Sequence, residues 1–198
     1  KRVTLVDLDP EMTKLFASQP ELIKLNHGSL SDPRVRVINT DAFKFLEDDT
    51  GFYGVIIADL PDPRNESLQK LYTVEFYRSA ARRLSLGGVF TTQATSPYFA
   101  ARAFWSIHQS MLQVWPEVRP YHSAVPAFGD WGFIMASRIP LNPEAISLTV
   151  PARFLDGPTL RSLFVFPLDM PRQQVEPNSL IQPVLPRYYR EGWQQVAR

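Results

Sequence analysis

Four short apolar segments dominate the first part of the chain, and each is followed by a segment with helical periodicity. The predicted strands are residues 3–6, 34–38, 54–59 and 89–93, and the predicted helices are residues 11–25, 42–46, 67–84 and 98–115. Strands that alternate with helices build an α/β domain with a mostly parallel sheet. Two further strands, 118–125 and 131–136, have no helix between them, which predicts a closing antiparallel hairpin.

Proline usage divides the chain. The last 61 residues hold nine of the 18 prolines, yet they also carry large apolar and aromatic side chains. A polar linker would lack those side chains, so this part predicts an ordered segment with short helices. We therefore expect an α/β domain over residues 1–137 and a proline-rich appendage over residues 138–198.

Composition excludes several classes of function. The 21 basic and 20 acidic side chains give a net charge of +1 without a basic patch, which argues against nucleic acid as a partner. The chain has no cysteine, so disulfides and thiolate chemistry are excluded, and three separated histidines do not predict a metal site. No apolar run reaches the roughly 18 residues that span a bilayer.

The predicted strand 3–6 has the apolar pattern of a buried strand and begins directly after Lys1-Arg2. Natural domains seldom begin inside a core strand. We therefore expect the chain to be a piece of a longer protein.

Polar side chains stand where each predicted strand ends. Asp7, Asp41, Asp59 and Gln93 follow the four strands, and Asp62 comes three residues after Asp59. Ligands of open α/β sheets bind beyond the carboxyl ends of the strands, so the four acids are expected to line one negative cleft. Such a cleft suits an organic cation. The alternative is a local role, since aspartates at these positions, including Asp9, are common helix N-caps.

Each acid has a chemical role open to it. In dinucleotide-binding folds, an acid at the end of the second strand can accept hydrogen bonds from both ribose hydroxyls. Asp41 can accept from the exocyclic amine of adenine. Asp59 can hold an ammonium group and accept its proton.

Six stretches of the chain, in the right order over residues 3–137, resemble the spermidine synthase (polyamine aminopropyltransferase) family. They are Leu5-Val6-Asp7-Leu8-Asp9-Pro10, Asp32-Pro33-Arg34-Val35 with Asp41-Ala42-Phe43, Val55 to Pro63, Leu71-Tyr72 with Glu75-Phe76-Tyr77, Gly87-Gly88 with Gln93, and Val125 to Phe133. The resemblance implies a Rossmann-like, methyltransferase-type sheet. It also implies transfer of an aminopropyl group from decarboxylated S-adenosylmethionine to a diamine such as putrescine, with release of methylthioadenosine.

The resemblance also implies site residues. It makes Asp59 the catalytic base. It assigns the donor to Asp7, Leu8, Asp41 and Ala42, and the diamine to Asp62, Tyr72, Gln93 and Trp131. For Tyr72 and Trp131, plain core packing is the alternative. No tightly bound cofactor and no metal are implied.

Two departures from the family pattern stand out. The family's first strand and its glycine-rich loop, which cradles the nucleoside, are absent ahead of Val3. Phe128 replaces an aromatic hydroxyl that contacts the amine, a loss of about 0.5–1.5 kcal/mol.

The tail, with Tyr188-Tyr189-Arg190-Glu191-Gly192-Trp193, resembles the bacterial branch fused to membrane helices. That likeness implies a domain facing the cytoplasm, in a parent that can belong to the inner membrane. The resemblance to the family also implies a homodimer.

Two other functions remain open. One is a different S-adenosylmethionine-dependent transferase on the same fold, although Asp59 and Asp62 favour a cationic acceptor. The other is a non-catalytic domain that binds a nucleoside or a polyamine. The latter would retain its function in an Asp59→Asn variant.

Overall fold

The computed structural model describes residues 1–196, which form a mixed α/β fold with six strands and eight α-helices. The strands are β1 (Val3–Asp7), β2 (Val35–Asn39), β3 (Tyr53–Ala58), β4 (Leu84–Gln93), β5 (Glu117–Val125) and β6 (Gly129–Ser137). The helices are α1 (Pro10–Ser18), α2 (Pro20–Leu25), α3 (Ala42–Asp48), α4 (Glu66–Gln69), α5 (Val74–Arg83), α6 (Ala101–Leu112), α7 (Gly157–Ser162) and α8 (Leu185–Val196). The α/β class predicted from the alternation of strands and helices is confirmed.

The chain divides into two compact units, a first unit of Lys1–Thr50 and a second unit that begins at Gly51. In the first unit β1 and β2 pair in parallel, from Val3 opposite Val35 to Asp7 opposite Asn39. Helices α1 and α2 follow β1, and α3 follows β2.

The single helix predicted over residues 11–25 is wrong. Gln19 is extended between α1 and α2, because Pro20 has no N–H to continue the helix and disfavours a helical residue before it. Met12 and Leu15 are 47% and 44% exposed, and neither helix contains a buried residue.

The second unit is built on a four-stranded sheet of order β3-β4-β6-β5. Strands β3 and β4 are parallel, whereas β4–β6 and β6–β5 are antiparallel, so the predicted hairpin is confirmed. The core against this sheet is aromatic. Phe90 stacks on Trp115 at 5.0 Å between ring centroids, and Tyr77 meets Phe90 edge-on at 5.7 Å.

The helix predicted over residues 67–84 is interrupted at Thr73. The Thr73 hydroxyl accepts a hydrogen bond from the Phe76 N–H at 3.2 Å and caps α5, so a new helix begins there. Helix α5 ends at Arg83, one residue short of the predicted end. Gly87 and Gly88 lie inside β4, where a Cβ on Gly88 would come within 3.0 Å of the Gly54 carbonyl oxygen.

Strand β3 is exposed on one face, although a continuous apolar run of this kind is typical of a parallel strand buried on both faces. Val55 and Ile57 are 60% and 73% exposed, whereas Ala58 is buried. Val55 and Ile57 lie two residues apart and so point to the same face of the sheet, which the described residues leave uncovered.

The proline-rich tail is ordered and packs largely through α8, which contacts α6. The buried Asn178 ties the tail to the helical region, since its amide donates to Gln69 Oε1 at 2.8 Å and to the Tyr72 carbonyl at 3.3 Å. The tail and the hairpin lie in the same unit, and the domain boundary expected at residue 137 stays a prediction.

None of the helices in residues 1–196 has the length and apolar character to cross a membrane.

Candidate active site

The end of β4 presents the side chain of Gln93, which is 7% exposed and organises the polar groups around it. Its Oε1 accepts hydrogen bonds from the Thr95 backbone N–H at 3.0 Å and from the Trp131 indole N–H at 3.1 Å. Two donors on one atom identify it as the carbonyl oxygen, so the orientation of the amide is fixed.

The opposite end of the amide faces the loop that follows β3. Gln93 Nε2 lies 2.7 Å from the Leu60 carbonyl oxygen and 3.2 Å from Asp62 Oδ1, and it also contacts the Tyr72 hydroxyl. The fully buried Tyr72 donates to the Leu60 and Pro61 carbonyls, at 3.2 Å and 3.1 Å. Gln93 and Tyr72 therefore hold the loop that carries Asp62.

Asp62 is bound on both of its oxygens. Oδ1 faces Gln93, and Oδ2 accepts from the Tyr189 hydroxyl at 2.8 Å. Burial raises the pKa of Asp62, while the hydrogen bonds from Tyr189 and Gln93 and the charge of Arg64 oppose that rise. The pKa of Tyr189 is also raised, by burial and by its bond to Asp62, so its hydroxyl stays protonated and acts as the donor.

Tyr189 is a site residue that the sequence analysis did not assign. It lies on α8, four residues before Trp193, and the two rings are 6.1 Å apart between centroids. Trp193 in turn lies 6.4 Å from Trp131, which packs on Phe128 at 5.2 Å. The available signal was the i, i+4 spacing of the two aromatic residues, which places them on one face of a helix.

Asp59 differs from Asp62 in its surroundings. Its side chain is exposed, and its carboxylate accepts no hydrogen bond from the described residues. Burial is the main cause of the raised pKa of the Tyr72 phenol, and the nearby charge of Asp59 makes a smaller contribution. The two acids of this loop thus form a fixed, half-buried carboxylate and an open one.

The backbone beside Gln93 is shaped to bring these groups together. Thr95 has a φ of 62°, which is rare for a β-branched residue, and this conformation presents its N–H to Gln93. Gly132 donates its N–H to the Thr95 carbonyl at 2.8 Å, and a Cβ there would stand 2.8 Å from the same oxygen. Only glycine permits that approach of β6.

The acids of the first unit make local bonds. Asp7 Oδ1 accepts from the Asp9 N–H at 2.7 Å, and Asp9 caps α1 through the Glu11 and Met12 N–H groups. Asp41 caps α3 through the N–H groups of Phe43 and Lys44. The cap alternative is therefore confirmed for Asp9 and Asp41.

The remaining donor-site candidates also lie in this unit: Leu8 is 71% exposed, and Ala42 is partly exposed at the start of α3. The cleft expected from all four acids would draw on both units, and it stays a prediction.

The second unit thus brings Asp62, Tyr72, Gln93 and Trp131 together and leaves Asp59 open beside them. A half-buried carboxylate flanked by aromatic rings can bind an ammonium group through charge and cation–π attraction. Residues 1–196 contain no cluster of three potential metal ligands.

Comparison with known proteins shows which proteins this chain is similar to. Residues 1–144 match the family model described as the spermine/spermidine synthase domain. Polyamine aminopropyltransferase 2 of Ralstonia nicotianae is 46% identical over 200 residues, covering 100% of this chain and 39% of that protein. The polyamine aminopropyltransferase of Oceanobacillus iheyensis is 41% identical over 198 residues, covering 98% of this chain and 39% of the relative. The chain spans about 39% of the length of these relatives.

Solved structures agree on the fold. The spermidine synthase of Thermotoga maritima matches with a TM-score of 0.70 and 21% identity, over 84% of this chain and 57% of that one. A spermidine synthase in complex with the transition-state analogue AdoDATO matches with a TM-score of 0.66 and 19% identity, over 84% of this chain and 67% of that one. At these identities the likeness establishes the methyltransferase-like fold alone.

Proposed function

The chain belongs to the spermine/spermidine synthase family, and on that premise we propose that it carries the acceptor site of a polyamine aminopropyltransferase. The reaction moves an aminopropyl group from decarboxylated S-adenosylmethionine to a diamine such as putrescine and releases methylthioadenosine. The observation that carries the proposal is the pair of unlike acids, an open Asp59 beside an Asp62 bound on both oxygens.

The open acid suits the chemical step. A diamine with a pKa near 10 is protonated at neutral pH, and its nitrogen then has no electron pair for attack. Asp59 accepts the proton, and the nitrogen attacks the aminopropyl carbon beside the sulfonium. The new carbon–nitrogen bond forms as the carbon–sulfur bond breaks, and its electron pair stays on sulfur. Holding the two reactants in line lowers the barrier further.

The fixed acid suits the other end of the diamine. Asp62, held by Gln93, binds the second ammonium group, and Trp131 lies along the methylene chain. Tyr72, assigned to the diamine by resemblance, is fully buried and supports the loop that carries Asp62. Phe128 packs on Trp131 and offers no hydroxyl to the amine. This position therefore selects the acceptor by shape more than by hydrogen bonding.

The donor is assigned to the first unit by family likeness. Asp7 would hold the ribose, Asp41 would hold the adenine amine, and Leu8 and Ala42 would contact the base. Asp7 lines an open pocket of about 210 Å³ within the first unit, together with Met12 and Phe16, whereas Leu8, Asp41 and Ala42 do not line it. Homodimer formation and fusion of the parent to membrane helices also stay predictions.

The test is release of methylthioadenosine from decarboxylated S-adenosylmethionine and putrescine, measured by mass spectrometry. It is run on this chain and on a version extended at its N-terminus. An Asp59→Asn variant is expected to lower turnover by about 10²–10⁴-fold, the usual contribution of a general base. Asp169→Asn, at an exposed acid outside the site, serves as the control and should not change the rate.

The alternatives give different results. Binding of methylthioadenosine or putrescine without turnover in either version, across several diamines, would favour the non-catalytic binding domain. Methyl transfer from S-adenosylmethionine would favour another transferase on this fold.

A further inference from the structure

The acceptor side of the site includes a residue from the proline-rich tail. We infer that Tyr189 is a positioning residue, which holds the Asp62 carboxylate in the orientation that receives the diamine's distant ammonium group. This inference rests on the proposed function and adds a specificity element that lies 127 residues away from Asp62 in the chain.

The geometry constrains the carboxylate from two directions. Gln93, at the end of β4, holds Oδ1, and Tyr189, on α8, holds Oδ2 at 2.8 Å. A carboxylate with a donor on each oxygen cannot rotate about its Cβ–Cγ bond without losing one of them. Each oxygen can accept more than one hydrogen bond, so the plane of the group is fixed while it remains able to accept from a ligand.

The donors are neutral, and this separates Asp62 from an ordinary ion pair. Asp32 on the surface is paired with Arg34 through two bonds, at 3.0 Å and 2.7 Å, which lower its pKa to about 2. The Asp62 carboxylate accepts its hydrogen bonds from an amide and a phenol, and Arg64 acts on it only through charge. The Asp62 carboxylate is therefore held in one orientation without forming an ion pair, so its negative charge can bind a cationic ligand.

Tyr189 can play this part only as a donor. Burial and the adjacent Asp62 raise the pKa of its phenol, which keeps the proton on its hydroxyl. Its ring is held by Trp193 at 6.1 Å, and Trp193 packs on Phe99 at 5.4 Å. The helix α8 that carries both rings packs against α6. The tail thus positions the phenol through packing rather than through loop geometry.

The test compares two variants that each remove one tyrosine hydroxyl from α8. Tyr189→Phe removes the donor to Asp62 and keeps the ring. Tyr188→Phe removes a hydroxyl that makes no hydrogen bond to the described residues, from a side chain that is 3% exposed. Both are made in the version of the protein that releases methylthioadenosine, and putrescine binding is measured by calorimetry beside steady-state kinetics.

We expect Tyr189→Phe to weaken putrescine binding and raise its KM about tenfold, which corresponds to losing one hydrogen bond to a charged group. Because the reacting amine lies at Asp59, kcat should stay within about twofold. Tyr188→Phe should change neither constant.

The pH dependence of putrescine binding gives a readout that a purely structural role would leave unchanged. The bond from Tyr189 lowers the pKa of Asp62, so its removal raises that pKa. Binding requires the ionised carboxylate and is lost as the pH falls through its pKa. The acid limb should therefore move to higher pH in Tyr189→Phe and stay in place in Tyr188→Phe.

The outcomes separate this inference from the proposed function. If the unmodified protein turns over putrescine and Tyr189→Phe matches it in KM and in acid limb, the positioning role is overturned and the proposed function stands. Equal losses of putrescine binding in both variants, with a lower melting temperature, would mean that Tyr189 contributes only core packing. That result would also overturn the positioning role. An unmodified protein that neither binds nor uses a diamine would overturn both.

Discussion

The two units use their strand-end acids in opposite ways. In the first unit, Asp7, Asp9 and Asp41 accept hydrogen bonds from backbone N–H groups two or three residues ahead. In the second unit, Asp62 is bound by Gln93 and Tyr189, which lie 31 and 127 residues away in sequence. The hydrogen bonds of the acids in the first unit form within a single loop, whereas those of Asp62 exist only when the whole second unit is folded.

This difference indicates in which unit stability and function depend on the same residues. A helix cap stabilises a single helix, and its position tolerates any residue with a side-chain oxygen that can accept the same hydrogen bonds. A long-range polar cluster binds several elements at once, so losing one member leaves its partners buried without a bond. Changes in the second unit should therefore have larger and less local effects than changes in the first.

The largest stability effect is expected at the centre of the polar cluster. Gln93→Leu removes the acceptor for Trp131 and Thr95 and the donor to Asp62, and it should lower the free energy of unfolding by about 2–4 kcal/mol. Urea denaturation measures this. Gln113→Leu, at an exposed helix end, is the control and should stay near the unmodified value. A small effect of Gln93→Leu would show that the cluster adds nothing beyond local contacts.

A smaller effect concerns the dry interior of the second unit. Burial, reinforced by the charge of Arg172, lowers the pKa of His108 to about 4 from an ordinary value near 6.5. Below pH 6.5 the unfolded chain takes up a proton that the folded chain does not, so stability is full above that pH. It should fall by about 2–3 kcal/mol as the pH drops towards 4.

Unfolding measured across this range checks the prediction for His108. His108→Phe should flatten the curve, because the titrating group is gone. His27→Gln, at the exposed histidine of the first unit, should leave the curve as it is. The same slope in all three proteins would contradict a dry site at His108.

The smallest effect is expected at a cap of the first unit. Asp9→Ala removes the acceptor for the Glu11 and Met12 N–H groups and should cost about 1 kcal/mol. Asp9→Asn retains a capping oxygen and should behave like the unmodified chain. Circular dichroism during urea unfolding reports both. If Asp9→Ala were as damaging as Gln93→Leu, the contrast between the two units would fail.

The fold was largely predictable because strand and helix periodicities are local. The errors came from single residues that outweigh periodicity, such as Pro20, which divides one predicted helix, and Thr73, which caps a new one. A continuous apolar run such as that of β3 is typical of a strand buried on both faces, but exposure at Val55 and Ile57 depends on what packs over that face of the sheet. That information is not contained in the segment itself.

The site was predictable to the same extent. Asp62, Tyr72, Gln93 and Trp131 were singled out from their motifs, and the structure brings them together. Tyr189 was not, because its i, i+4 spacing with Trp193 predicts only a shared helix face and does not indicate a partner 127 residues away. The roles of Asp7 and Asp41 toward a nucleoside stay predictions, since an acid that caps a helix looks the same in sequence as one that also binds a ligand.

The ring contacts around the site give the protein an optical property. Trp131 and Trp193 lie beside the acceptor residues, whereas Trp105 and Trp115 are 5% and 2% exposed in the core. Indole emission responds to nearby charge and to water, so a cation entering beside Asp62 changes the light from the first pair and leaves the core pair as a constant background. Occupancy of this site can thus be followed by intrinsic fluorescence, without a label and without turnover.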